Sequence, residues 1–342
     1  MQKTQVALFE VSSWEKKYLE EKLKDKRDLS VSYYKSKLSA RTADKALDAE
    51  VVGSFVYSKI DKAIVDRLPR LKLIVTMSTG FDHIDLDCCG ERDIRICNVP
   101  TYGEKTVAEH TFALMLSLSR KIPQSIENVR KLNFDLEELR GFDLDGKTLG
   151  IVGMGHIGAN VARIANGFGM KIIVSDPKAD KKILKGFDAK DVSLETLLGK
   201  SDIITLHAPY NPHTHHLINM GNIHLIKPGA YIINTARGGL IETEALLFAL
   251  NKKIIAGAGI DVLEEESFIK EEKELLRRPR GNSQMLMTVL QDHLLLNNPR
   301  VIITPHNAFN SEEAMRRILD TTILNIERFL AGKPINVIKL SR

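Results

Sequence analysis

The chain has 342 residues, of which 43% are hydrophobic and 27% charged, with 49 basic against 44 acidic side chains and a net charge of +5. That length is more than twice a usual domain of about 150 residues and predicts two domains, while the composition excludes a disordered or fibrous chain and no apolar run approaches the roughly 18 residues of a membrane span. The mild charge is interleaved, and its densest basic clusters (Lys24 to Arg27, Arg277 to Arg280) lack the breadth and stacking aromatics of a nucleic-acid surface. An odd count of 3 cysteines, Cys88, Cys89 and Cys97, points to a reducing cytoplasm rather than a disulfide scaffold.

In chain order, the short apolar runs at 6–9, 29–34, 51–57, 71–76 and 94–99 read as strands separated by amphipathic stretches. After Pro100, residues 104–121 read as one long helix, apolar on more than one side (Val107, Ala108, Phe112, Ala113, Met115, Leu116, Leu118). A helix that apolar is expected to be buried, inside the fold or against a partner chain. A second series of strands follows at 148–152, 171–175, 203–207, 231–234 and 255–260. A charged and then apolar stretch at 267–299 gives no clear pattern. A strand at 301–304 then precedes a helix at 311–330 with apolar residues at three- and four-residue steps. Such alternation predicts parallel sheets covered by helices on both faces.

Gly153-Met154-Gly155-His156-Ile157-Gly158 fits G-x-G-x-x-G. The hexapeptide is weak evidence on its own, but here a strand precedes it, a helix follows, and the next strand ends in Asp176. Together these form the whole dinucleotide-binding βαβ pattern. Gly153 allows the tight turn, Gly155 lets backbone approach a pyrophosphate, and Gly158 lets helix and strand pack closely. The helix N-terminus offers N–H donors to phosphate. A carboxylate at Asp176 accepts ribose hydroxyls and repels a 2′-phosphate, which favours NAD over NADP. The nearby Lys178, Lys181 and Lys182 weaken that preference.

Three later strands run into polar turns: Asn234-Thr235-Ala236-Arg237-Gly238-Gly239, Asp261-Val262 leading to Glu264-Glu265-Glu266, and Thr304-Pro305-His306. Open α/β sheets bind ligands at such carboxyl ends. An arginine grips a carboxylate with two parallel hydrogen bonds, and a histidine exchanges protons near neutral pH. His213-Thr214-His215-His216 lacks the separated ligand pairs of a zinc site, so no metal is expected there and the segment reads as a loop beside the cofactor. Cys88-Cys89 reads as structural.

In their order along the chain, these motifs resemble the D-isomer-specific 2-hydroxyacid dehydrogenases. Ser78-Thr79-Gly80-Phe81-Asp82-His83-Ile84-Asp85 is similar to the family's substrate-carboxylate loop. Asn98-Val99-Pro100-Thr101-Tyr102, followed by Val107-Ala108-Glu109-His110, is similar to its interdomain crossover. Within the family the chain looks most like the D-lactate dehydrogenases, on Tyr102, on Phe309 and on the long stretch between Glu266 and His306. Gly103-Glu104-Lys105 and Ser267 depart from the usual pattern.

The resemblance implies that Arg237 binds the substrate carboxylate and that His306 is the acid–base group, assisted by Glu266. The choice of Glu266 over Glu264 and Glu265 rests on its spacing from Arg237. Ser78, Thr79, Gly80, Tyr102 and Phe309 are then substrate contacts. Besides the glycine loop with His156 and Ile157, the cofactor contacts are Val107, Asp176, Ala208, Pro209, Thr214, Thr235, Ala236 and Asp261, the last holding the nicotinamide carboxamide. The implied fold is α/β, with two doubly wound parallel-sheet domains and a cleft between them. One is a Rossmann NAD domain at 103–299; the other is a discontinuous flavodoxin-like substrate domain at 1–102 and 300–342. A homodimer is expected, with the helix at 104–121 as its interface. The implied activity is reversible, NAD-dependent reduction of a small 2-oxo acid, pyruvate to D-lactate. The alternatives are a larger 2-oxo acid, or a dinucleotide-sensing corepressor-like binding protein on the same fold.

Overall fold

The computed structural model describes residues 3–264 and 283–339. The chain divides into two compact units, one made of Met1–Tyr102 with Ser311–Arg342 and the other of Gly103–Asn310.

In the first unit, β1 (Thr4–Leu8), β2 (Leu29–Tyr33), β3 (Val51–Ser54), β4 (Leu73–Thr76) and β5 (Arg95–Cys97) form a parallel sheet in the order β2-β1-β3-β4-β5. All four residues of β3 and of β4 are buried, as expected of a parallel sheet covered on both faces. The helices α1 (Ser13–Leu23), α2 (Lys62–Val65) and α3 (Leu86–Glu91) occupy the crossovers. Ser12 starts α1 with a reciprocal capping box to Glu15. The chain returns through the helix Glu312–Leu330, started by the Ser311 hydroxyl accepting from Ala314 N–H. Ala314, Ile318, Leu319, Ile323 and Ile326 of that helix are buried, and Asn325 donates to the carbonyl of Asn98 at 2.8 Å.

The second unit contains α4 (Glu104–Ser119), α5 (Ile122–Arg130), β6 (Thr148–Val152), α6 (His156–Gly167), β7 (Lys171–Ser175), α7 (Lys181–Gly186), β8 (Lys190–Asp191), α8 (Leu194–Lys200), β9 (Ile203–Leu206), β10 (Ala230–Asn234), α9 (Thr243–Asn251), β11 (Ile255–Ile260), the helix Ser283–Leu296 and β12 (Val301–Ile303). The sheet order is β12-β11-β10-β9-β6-β7-β8, all parallel. Read from β8 to β11 this is the doubly wound nucleotide-binding order, whose direction reverses between β6 and β9.

One expected boundary needs correction. The sequence places residues 300–342 in the first unit, but β12 hydrogen-bonds to β11, pairing Ile260 with Ile303, so the chain crosses back only at Ser311. The apolar character of α4 is satisfied within its own unit: Val107, Ala108, Phe112, Leu114 and Met115 are buried, and Phe112 stacks on Phe168 at 5.4 Å. Leu116 and Leu118 of the same helix are partly buried and Ala113 is exposed. An exposed apolar strip lies on α5 and just beyond it, where the sequence reading places no element. The short strand β8 was also missed, because two exposed polar residues carry no hydrophobic period.

Candidate active site

One row of paired residues organises the second unit's carboxyl edge. Ser175, Val152, Leu206, Asn234, Ile260 and Ile303 stand side by side, each opposite the next. The residues that follow them are therefore Asp176, Gly153, His207, Thr235, Asp261 and Thr304. Neighbouring strands lie about 4.8 Å apart, so turns from widely separated parts of the chain meet along this edge.

At the switch point, Gly153 has φ +93 and a Cβ there would stand 2.7 Å from Ala208 N, so glycine is required for both conformation and space. A Cβ on Gly158 would collide with the Gly153 carbonyl, whereas one on Gly155 would meet nothing within 4 Å. The N-cap of α6 is Gly155, with no side-chain cap, which leaves first-turn N–H donors facing an open space suited to an anion. His156 begins this helix with its side chain 81% exposed and Nδ1 3.5 Å from Glu104. The Asp176 carboxylate accepts from Met154 N–H at 2.7 Å and from Lys178 N–H at 2.8 Å. It therefore fixes the glycine loop from the end of β7. These features fit a dinucleotide.

After β9, Ala208 is buried and Pro209 exposed. Thr214 closes its own loop, its hydroxyl donating to the Pro209 carbonyl at 2.6 Å. His207 is partly buried, and burial pushes its pKa down to about 3, so it is neutral at ordinary pH. Its Nε2 meets the Thr205 hydroxyl at 2.9 Å.

Past β10, Thr235 is held to Thr111 of α4 by a 2.9 Å hydroxyl pair, and Thr111 also donates to the Val107 carbonyl. Arg237 is half-buried, with Nη1 donating to the Ala236 carbonyl at 2.8 Å. Asn234 shapes the turn by accepting from Ala236 N–H and donating to the Arg237 carbonyl. Next door, the 1% exposed Asp261 braces the following turn. Its carboxylate accepts from Asn307 N–H at 2.8 Å, from Ala308 N–H at 2.9 Å and from the Thr304 hydroxyl. His110 of α4 reaches the same group, 3.0 Å from Thr304 Oγ1 and 3.5 Å from Asp261 Oδ1. That turn carries His306, in a left-handed conformation (φ +53), its N–H bonded to the Asp261 carbonyl at 2.8 Å. Phe309 meets the His306 ring edge-on at 6.2 Å. Arg237 and His306 thus flank the Asp261–Glu264 exit of β11. Glu266 lies outside the described residues.

In the first unit, Ser78, Thr79 and Gly80 follow the last ladder pair, Ser54 with Thr76. The buried Ser78 hydroxyl donates to the Gly80 carbonyl at 2.7 Å, and the Thr79 hydroxyl donates to the Val99 carbonyl at 2.9 Å, so both side chains shape this turn. Tyr102 is half-buried, and its carbonyl accepts from Arg317 Nε at 2.8 Å. The sequence reading missed the switch point of this sheet, between β1 and β3. There Glu10 (φ +61) accepts from Tyr57 N–H at 3.1 Å and from the Ser58 hydroxyl. Burial pushes the Glu10 carboxyl up, partly offset by those bonds. Phe55 and Tyr57 pack edge-on at 5.9 Å in the loop it holds.

Comparison with known proteins decides the family. The model for the NAD-binding domain of D-isomer-specific 2-hydroxyacid dehydrogenases matches residues 112–308. A 2-hydroxyacid dehydrogenase homolog of Haemophilus influenzae is 34% identical over 96% of this chain and 97% of its own length. The D-lactate dehydrogenase of Escherichia coli is 32% identical, with the same two coverages. The crystal structure of Aquifex aeolicus D-lactate dehydrogenase with NAD and lactic acid superimposes with a TM-score of 0.86 at 36% identity, covering 96% of each chain. This chain belongs to the D-isomer-specific 2-hydroxyacid dehydrogenase family.

The protein is thus an oxidoreductase, and the seven-stranded unit is its NAD-binding domain. In this dehydrogenase the sequence motifs located the strand ends but not the groups bracing them. Glu10 and Thr111 belong to no quoted motif, and the motif that contains His110 does not show its contact with Thr304 and Asp261. The role of Glu264 was hidden among three consecutive glutamates.

Proposed function

We propose that this dehydrogenase interconverts a small 2-oxo acid and its D-2-hydroxy acid, with pyruvate and D-lactate as the pair. The observation that carries this reading is the attachment of the Arg237 turn and the His306 turn to one buried strand exit, Asp261–Glu264. A cation and a proton donor carried on turns of one strand exit are what reduction of an anionic ketone needs. The relatives named for D-lactate, in Escherichia coli and Aquifex aeolicus, support the small substrate.

When bound, NADH supplies the hydride that reaches C2 of the oxo acid. Arg237 holds the substrate carboxylate and polarises the carbonyl through its planar guanidinium. His306 donates a proton to the carbonyl oxygen during reduction and takes it back from the hydroxyl during oxidation. Glu266 orients His306, and Phe309 packs beside that ring. Asp261 holds the His306 turn and the nicotinamide carboxamide. The glycine loop with His156 and Ile157 takes the pyrophosphate, and Asp176 takes the ribose. Val107, Ala208, Pro209, Thr214, Thr235 and Ala236 line the cofactor path. Ser78, Thr79, Gly80 and Tyr102 are the first unit's substrate contacts.

The proposal includes a homodimer through the exposed apolar strip of α5. It also includes a reducing cytoplasm, which the free, buried Cys88, Cys89 and Cys97 support. The test is NADH consumption at 340 nm with pyruvate and a series of bulkier 2-oxo acids, followed by chiral analysis of the product. Pyruvate turnover to D-lactate is expected. Preference for a bulky side chain replaces the substrate, and no turnover with any 2-oxo acid overturns the reading in favour of a dinucleotide-sensing binding protein.

A further inference from the structure

A chain of polar groups behind the Arg237 turn is left unexplained by the roles above. The Glu264 carboxylate, with its side chain only 17% exposed, uses both oxygens. One accepts from His216 Nε2 at 2.5 Å; the other accepts from Thr243 N–H at 3.1 Å and from the Thr243 hydroxyl at 2.7 Å. Thr243 is the first residue of α9, whose own N-cap, Glu242, makes no side-chain cap. A carboxylate from the exit of β11 therefore caps a helix that precedes it in sequence, where an anion faces orphan N–H donors. Because a carboxylate only accepts, the facing His216 Nε2 carries a hydrogen.

His216 is itself locked. Its backbone is left-handed (φ +48), its N–H donates to the Gly239 carbonyl at 2.8 Å, and its ring lies 3.8 Å from that of His215. His215 Nδ1 is 3.0 Å from the Tyr210 hydroxyl, and the Tyr210 ring covers Gly239, where a Cβ would stand 2.7 Å from Cε2. On the other side, a Cβ on Gly238 would stand 2.5 Å from Glu264 N. The residues immediately after Arg237 are thus pinned between the His216 loop and the exit of β11. His216 and Glu264 tie those two walls together.

We infer that His216 and Glu264 are positioning residues that clamp the Arg237 turn to β11, so that the guanidinium presents one orientation to the substrate carboxylate. This rests on the reading of Arg237 given above. Neither residue touches substrate. The clamp acts on binding geometry, where a displacement of about 1 Å can cost up to a hundredfold.

The test is steady-state pyruvate reduction by the full chain carrying Glu264→Ala, His216→Ala, both together, and His216→Gln, which restores an N–H donor. NADH affinity by fluorescence titration checks that the nucleotide unit is folded. Each single alanine variant is expected to raise KM for pyruvate about tenfold or more while kcat changes by less than about threefold. The double variant should be no worse than the worse single, because one linkage is lost either way. His216→Gln should return KM to within about threefold of the parent. An unchanged KM in alanine variants that bind NADH normally, or full additivity in the double, overturns the clamp. If Glu264→Ala loses NADH binding, His216→Ala decides by the same KM criterion, with His216→Gln as its rescue. A parent enzyme that reduces no 2-oxo acid removes the role of Arg237 and the clamp with it, a result distinct from active enzyme with indifferent variants.

Discussion

His207 shows how one partly buried side chain can set a property of the whole chain. It stands where β9 meets the glycine loop, and burial holds its pKa near 3, against about 6.5 for an unfolded histidine. Between those values the unfolded chain binds a proton that the folded chain refuses, so stability falls as pH drops below about 6.5. The slope from this one group approaches 1.4 kcal/mol per pH unit. Urea unfolding of the parent and His207→Gln at pH 7, 6, 5 and 4 should show a shallower acid decline in the variant; equal slopes would refute the assignment. Asp176 has a comparable double life. The sequence reads it as a ribose acceptor, yet it also accepts from Met154 N–H, so its replacement disturbs the glycine loop as well.

Among the elements, α5 differs from its neighbours in burying none of its residues. Ile122, Ile126 and Val129 recur at four- and three-residue steps and are 45–49% exposed. Beyond the helix, Leu132, Phe134 and Leu136 alternate at 84%, 71% and 74% exposure. An apolar strip that carries on from the helix into the loop after it suits an association surface. Light scattering after size exclusion should give twice the chain mass for the parent, and the mass of one chain for Ile126→Asp combined with Phe134→Asp. A parent that elutes as a single chain at micromolar concentration would remove the homodimer. By contrast α4, the expected interface, is already packed against α6 and β11 within its own unit.

Across the whole molecule, the coenzyme-binding features described here belong to one of the two compact units, Gly103–Asn310. A ligand stabilises what it binds, by about 2.7 kcal/mol at a hundred times its dissociation constant. Calorimetry with saturating NADH should therefore raise the unfolding transition of the nucleotide unit and leave that of the first unit in place. Equal shifts in both would mean that the units unfold as one cooperative body.

Much of this was legible beforehand because it depends on local pattern. Apolar runs bounded by turn residues located the longer strands. The spacing of Gly153, Gly155 and Gly158 between a strand and a helix marked the nucleotide loop. Arg237, Asp261 and His306 stood out as polar residues closing apolar strands. What stayed hidden depends on groups distant in sequence becoming neighbours. Asp261 as the brace of the His306 turn, Glu264 as the cap of α9, Glu10 as the anchor of the Tyr57 loop and His110 beside Thr304 all arise from strand order and register. So does the membership of β12 in the second sheet, since a short apolar run does not state its neighbour. Local residue pattern by itself determined the elements and the chemistry available at their ends. Tertiary packing alone decided which ends share an edge, because hydrogen-bond pairing between strands fixes neighbours that no local propensity encodes.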